Sequence, residues 1–185
     1  MEEIKIDKIT SVYKIDKQSF LENSDEIIAH CTQIISSYEK KANRQKIANA
    51  KAYLYKVCSN LFLDGDAYFY LLKSGNDYVS FNIFSSHPNK PNSWIMEMVY
   101  TNKNLTNCGY AQKLMEASFE DMKKGGAKEV ILSVSNKNEK SMHIQSKMQQ
   151  KCKSLAVRDD AKTKFYLNLE TFNEAQIQDE PELER

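Results

Sequence analysis

Hydrophobic and polar positions along the 185-residue chain change period several times, and each change predicts an element. Residues 3–9 predict a first strand with Ile4, Ile6 and Ile9 apolar, and residues 13–20 a short helix. Asn23, Ser24 and Asp25 supply N-cap chemistry for a further helix carrying Ile27, Ile28, Cys31, Ile34 and Ile35 on one stripe. Helical spacing continues over residues 40–62 through Ile47, Ala50, Leu54, Val57, Cys58 and Leu61, and the pattern leaves open whether a break near Ser36 or Lys41 separates two helices. Asp64, Gly65 and Asp66 stop the helical run. The period then drops to two. Residues 67–73 and 78–85 predict strands joined as a hairpin across Ser74, Gly75, Asn76 and Asp77. Residues 87–92 hold two prolines and two asparagines and read as a loop, and residues 94–101 read as the next strand.

Helical periodicity returns after residue 110. Leu114, Met115, Ser118, Phe119 and Met122 share one face, with Lys113, Glu116, Glu120 and Lys123 on the other, and Gly125-Gly126 permits a left-handed C-cap. Val130, Ile131, Leu132 and Val134 form a nearly continuous apolar run, which predicts a strand covered on both faces. A right-handed crossover would bring it parallel to a strand already in the sheet. Asn138 then opens another helix, and residues 154–157 and 164–169 predict a terminal hairpin. The expected organisation is one domain over residues 1–172, with N-terminal strand and helices in 1–62 and a core in 94–148. Residues 173–185 form an acidic tail that is expected to be disordered.

Charge changes little in this picture. With 26 basic and 25 acidic residues, nothing global points to a polyanion. The run KKANRQKIANAKAYLYK sets basic residues beside aromatic ones, but such runs are more often solvated helix faces than nucleic-acid surfaces. Cys31, Cys58, Cys108 and Cys152 are widely spaced and form no CxxC pair, which suits reduced thiols. The start MEEIKIDKIT lacks the basic and apolar regions of a secretory leader, and no apolar run reaches membrane-spanning length. The expectation is a cytoplasmic protein without a membrane partner. His30, His87 and His143 are isolated, so no metal site is expected.

Chemistry concentrates where a strand is handed through a short turn to a helix. The first N–H groups of that helix have no intrahelical partner, and with the positive end of the helix dipole they suit a pyrophosphate. The turn is Thr106, Asn107, Cys108, Gly109, Tyr110 and Ala111. With its flanking elements, it resembles the coenzyme A-binding core of the GNAT acyltransferase superfamily. That family's turn reads Arg or Gln, two variable residues, Gly, one variable residue, then Gly or Ala. Gly109 and Ala111 fit; Thr106 departs from the usual long donor, and Lys103 or Lys113 is placed to supply the missing charge.

The resemblance implies a mixed α/β (α+β) fold. Its central sheet would be mostly antiparallel, with helices on both faces and a parallel strand pair opening the coenzyme A cleft. It implies that the main chain of Val99, Tyr100 and Thr101 hydrogen-bonds the pantetheine arm, that the main chain of Cys108, Gly109, Tyr110 and Ala111 holds the pyrophosphate, and that Thr106 and Asn107 of the same turn also bind the cofactor. Asn138 falls where the family often has a cofactor-contacting Asn, though it also suits a plain helix N-cap.

Glu97 is the candidate general base. On an alternating strand it shares a face with Ile95 and Val99, where a carboxylate makes sense if the face opens into a polar cleft. The other reading is a solvated strand residue. The family's usual proton-donating Tyr is replaced by Gln145, with Tyr110 and Tyr166 as possible substitutes. Cys108 near a helix start could be nucleophilic, but a turn residue is the simpler reading. Two functions follow from the resemblance. One is acetyl transfer from acetyl-coenzyme A to an amine of a small molecule or protein, by a monomer or homodimer. The other is a non-catalytic relative that binds coenzyme A or a protein partner.

Overall fold

A computed structural model of the chain describes residues 1–38, 44–64 and 66–173. The expected acidic tail from residue 174 onward, the helix start at 40–43 and Gly65 lie outside the described residues. In chain order the elements are β1 (Glu2–Lys5), β2 (Thr10–Ile15), α1 (Lys17–Ser36), α2 (Arg44–Asp64), β3 (Ala67–Ser74) and β4 (Asp77–Ser86). There follow β5 (Ser93–Thr101), a 3₁₀ turn (Lys103–Leu105), α3 (Tyr110–Lys124), β6 (Glu129–Ser135), α4 (Glu139–Lys151), β7 (Leu155–Arg158) and β8 (Lys162–Asn168). The strands form one eight-stranded mixed sheet in the order β1-β2-β3-β4-β5-β6-β8-β7. The expected parallel pair is β5–β6, matched from Ser93 with Glu129 to Ile95 with Ile131.

The chain divides into two compact units. The first holds residues 1–86 and 96–118. Its N-terminal region differs from the sequence reading. The expected strand over residues 3–9 stops at Lys5, and of the expected helix over 13–20 only residues 17–20 are helical, in α1, while residues 13–15 belong to strand β2. Asp7 causes the change: its Oδ1 accepts the N–H groups of Ile9 and Thr10 at 3.0 and 2.9 Å, turning the chain so that β2 runs back antiparallel to β1. Helix α1 is capped by Asp16, which accepts Ser19 N–H at 2.7 Å. The expected helix start at 23–25 is only a kink, with Asn23 at φ −128° and ψ 23° inside α1.

Strands β3 and β4 carry the core of this unit. Phe69, Leu71, Phe81 and Ile83 project to one face, where they pack with Ile15, Phe20, Ile27, Ile28, Cys31, Ile34, Leu54, Cys58 and Phe62. The α1 stripe read from sequence supplies four of these, whereas Ile47 of α2 stays exposed. On the opposite face Asn82 Nδ2 donates to Ser118 Oγ of α3 at 2.9 Å, and Ser118 Oγ in turn donates to Leu114 O. Helices therefore cover both faces of the β3–β4 pair. Burial raises the thiol pKa of Cys31 and pushes that of Cys58 up to about 12.

The second unit holds residues 87–95 and 119 onward. Val130 and Leu132 of β6 register with Leu167 and Phe165 of β8, and all four are buried. The expectation that both faces of β6 are covered holds only in part. Ile131 is buried, but Ser133 on the same face is exposed, because its register partner Lys164 is itself solvated. Gly126, at φ 87°, ends α3 with Ala127 N–H on Met122 O, as the Gly-Gly signal implies. Phe119 of α3 meets Phe172 edge-on at 5.8 Å. No helix among the described residues is long and apolar enough to cross a membrane.

Phe69 is fully buried between two strands and two helices. Phe69→Ala should therefore cost about 3–5 kcal/mol of stability, read from the shift in the denaturant midpoint.

Candidate active site

The candidate residues of the first unit lie along β5 and the segment that carries it into α3. Glu97 is exposed and accepts a hydrogen bond from Ser85 Oγ at 2.6 Å. Alternation puts Ser85 on the face of β4 that carries Phe81 and Ile83, and its register partner Ala67 packs with that core. Met98 packs against the same core, and Tyr100 stacks on Phe81 at 5.5 Å. Glu97 and Met98 are consecutive yet address one face, so the alternation of β5 slips by one residue between them, as at a β-bulge. This corrects the assignment of Glu97 to the face of Val99. The Glu97 side chain is solvated and takes the Ser85 hydroxyl at the surface.

Beyond the slip, the main chain of β5 is held from its neighbours. Ser80 Oγ of β4 donates to Tyr100 O at 2.7 Å and lies 2.8 Å from Thr101 Oγ1. Tyr38, just past α1, donates its hydroxyl to Thr101 O at 2.7 Å and meets the Tyr100 ring edge-on at 6.2 Å. Desolvation, reinforced by Tyr100, pushes the Tyr38 hydroxyl pKa up. Ser37 Oγ accepts Lys103 N–H at 2.8 Å. Tyr38, Ser37 and Ser80 were not singled out from sequence; nothing local marks them, since their role comes from packing across 20 to 66 positions of chain.

The turn into α3 is the most unusual stretch of backbone. Asn107 and Gly109 both take positive φ, 70° and 79°, on either side of exposed Cys108. Asn tolerates this region and Gly is strain-free there. A Cβ built on Gly109 meets nothing within 4 Å, so the main chain is open to close approach. The first intrahelical bond is Lys113 N–H to Gly109 O at 2.9 Å, which leaves the preceding N–H groups of Tyr110, Ala111 and Gln112 without partners inside the helix. Thr106 folds back, its Oγ1 donating to Lys103 O at 3.0 Å.

Residues 25–148 match the model of the acetyltransferase (GNAT) family. The chain belongs to this family. No curated protein matches it in sequence. Solved GNAT structures share its fold at low identity. Apo FdhC, described as a nucleotide-linked sugar GNAT, aligns over 92% of each chain at 14% identity with a TM-score of 0.65. The PaiA N-acetyltransferase of Thermoplasma acidophilum, solved with coenzyme A, aligns over 86% of this chain and 98% of its own at 14% identity and TM-score 0.61. The ribosomal-protein-S18-alanine N-acetyltransferase of Escherichia coli aligns over 87% and 94% at 10% identity and TM-score 0.59.

Other GNAT positions fall as follows. Tyr110 places its hydroxyl 3.0 Å from Ser74 Oγ. Asn138, in the second unit, is exposed and caps α4, accepting Ser141 N–H at 3.2 Å, so its capping role is real. Gln145 is buried. Tyr166 lies under the Lys164 ammonium at 5.2 Å and lines a groove of ≈ 440 Å³ with Lys90, Ser93, Glu129 and Leu155, none of them a candidate residue. Among the described residues no group of three His, Cys, Asp or Glu side chains could hold a metal ion.

Of the two lysines placed to offset the missing Arg, Lys113 is committed: its Nζ sits 2.8 Å from Asp7 Oδ2. That bond, with the amide of Ile9, lowers the Asp7 pKa to about 2. A depressed carboxylate contributes stability that is present above its unfolded value of 3.8 and lost as pH falls toward 2. Lys113→Ala should raise the Asp7 value, though not fully to 3.8, because the Ile9 amide bond persists. NMR titration of the Asp7 carboxyl carbon reads this directly.

Proposed function

We propose that the chain is a cytoplasmic N-acetyltransferase, with residues 1–172 as its working domain, that moves an acetyl group from acetyl-coenzyme A to an amine of a small molecule or protein. The observation that carries this reading is the passage into α3. An open, positive-φ Gly109 stands at the head of a 15-residue helix. Approachable main chain, unpaired amides and the helix dipole together fit a pyrophosphate. The structural neighbour PaiA was solved with coenzyme A, which supports the same assignment.

In this reading Thr106, Asn107, Cys108, Gly109, Tyr110 and Ala111 hold the pyrophosphate, and exposed Lys103 supplies charge that Thr106 lacks. Val99, Tyr100 and Thr101 receive the pantetheine arm through their main chain. The Tyr100 and Thr101 carbonyls already accept Ser80 and Tyr38, so each offers its second lone pair. Acetyl-coenzyme A supplies the thioester; the new C–N bond replaces the C–S bond, the amine loses a proton and the thiolate gains one. Glu97, held by Ser85, accepts the amine proton directly or through water. The irregular main chain after Glu97 offers the amide of Val99 to the acyl oxygen.

Calorimetric titration with acetyl-coenzyme A and with coenzyme A tests the first step. Binding near micromolar is expected, and no binding at millimolar ligand overturns the proposal. In Gly109→Val the built side chain meets no neighbour, so a loss of affinity reports obstructed ligand approach or a shifted turn rather than a damaged core. Affinity should fall at least tenfold, about 1.4 kcal/mol, with the melting temperature little changed.

Chemistry is tested separately by thiol release with an amine panel. Glu97→Gln should lower the rate by roughly two to four orders of magnitude with binding unchanged. The loss should shrink at high pH, where more substrate amine is already neutral. A fully active Glu97→Gln protein at neutral pH removes Glu97 from the base role. The second reading, a relative that binds coenzyme A without turnover, is favoured by one observation: Gln145 is buried where the family's Tyr would offer a proton. Tight binding with no thiol release for any amine would select it.

A further inference from the structure

We propose that Ser37 and Tyr38, just past α1, are positioning residues that clasp the end of β5 in the shape that receives the pantetheine arm, a role that rests on the coenzyme A reading of the site. Four consecutive residues there, Tyr100 to Lys103, are each tied through a main-chain atom. Ser80 Oγ donates to Tyr100 O and the Tyr38 hydroxyl to Thr101 O, both at 2.7 Å. Asn102 N–H donates to Val79 O and Lys103 N–H to Ser37 Oγ, both at 2.8 Å. The ties from Ser80 and Val79 come from neighbouring β4, as a strand end ordinarily has. Those from Tyr38 and Ser37 reach across 63 and 66 positions of chain, and pairing of the strands does not require them.

Both residues are themselves held in place. Ser37 closes α1, with its N–H on Gln33 O and its Oγ donating to Ile34 O at 2.6 Å, so the oxygen that takes Lys103 N–H is anchored to the helix. The Tyr38 ring meets Tyr100 edge-on at 6.2 Å, and Tyr100 stacks on fully buried Phe81 at 5.5 Å. Desolvation pushes the Tyr38 pKa up, so its hydroxyl stays a donor through the neutral range. A carbonyl oxygen carries two lone pairs. Tyr38 takes one on Thr101 and leaves the other for an N–H of the arm. Main chain fixed before binding loses no further freedom when the arm arrives.

Tyr38→Phe keeps the exposed ring and removes only the hydroxyl. Calorimetry should show coenzyme A binding about three- to tenfold weaker than in wild type, the worth of one neutral hydrogen bond, with the melting temperature unchanged. 3′-Phospho-ADP, which carries the pyrophosphate but lacks the arm, should bind both proteins alike. Ser37→Ala should also weaken coenzyme A, and Ser37→Thr, which keeps the hydroxyl, should restore it. In thiol-release assays the Tyr38→Phe protein should show a raised KM for acetyl-coenzyme A at unchanged kcat. Unchanged coenzyme A affinity in Tyr38→Phe overturns the clasp, as does an equal loss for both ligands, the mark of general loosening. Tighter coenzyme A binding overturns it too, since Tyr38 would then compete with the arm for Thr101 O. A wild type that binds neither ligand is a different result: it removes the coenzyme A reading, and the clasp with it.

Discussion

The β3–β4 pair is apolar on one face and on the other buries Tyr70, Leu72 and Phe84 beside the amide of Asn82, so neither face can be left to water. Phe69, Leu71, Phe81 and Ile83 require the α1–α2 helices above them. Below, Asn82 would be costly without a partner, and Ser118 of α3 meets it. That second contact fixes the direction in which α3 leaves the turn, and so where the unpaired amides at its head point. The candidate site therefore depends on a hydrogen bond two turns into the helix, inside the core.

Strand β5 lies beside this pair and inherits its constraints. Tyr100 is drawn onto Phe81, Thr101 is drawn to Ser80, and Glu97 is drawn out to Ser85. A regular strand cannot meet all these demands, and the slip after Glu97 resolves the conflict. The cost is a break in the regular alternation, and the return is main chain with altered direction between the carboxylate and the turn. Bulges are common next to functional sites for this reason.

Much of this was legible because it rests on local chemistry. The Gly109 turn, the buried stripe of α3, the Gly-Gly stop and the α1 isoleucines are set by period and by residue type over a few positions. The hairpin at Asp7 was missed because Ile4, Ile6 and Ile9 look like one continuous strand, and a single aspartate side chain redirects it. Asn23 offered real capping chemistry, yet Asp16 won because it captured Ser19 earlier in the chain. The face of Glu97 was misjudged for a different reason. Alternation is a property of regular strands, and only long-range packing against Phe81 and Ser85 shows where it slips. Tyr38 and Ser80 were invisible for the same reason.

The four thiols are not equal, and this gives the molecule a ready-made handle. Cys31, Cys58 and Cys152 are buried, and burial pushes the last two up to about 12. Cys108 alone is exposed, between the two left-handed residues of the turn. Maleimide or iodoacetamide dyes applied to the folded chain at mild pH would therefore attach at one place, the head of α3. An environment-sensitive fluorophore there would convert the turn into its own reporter, with no engineered cysteine and none removed.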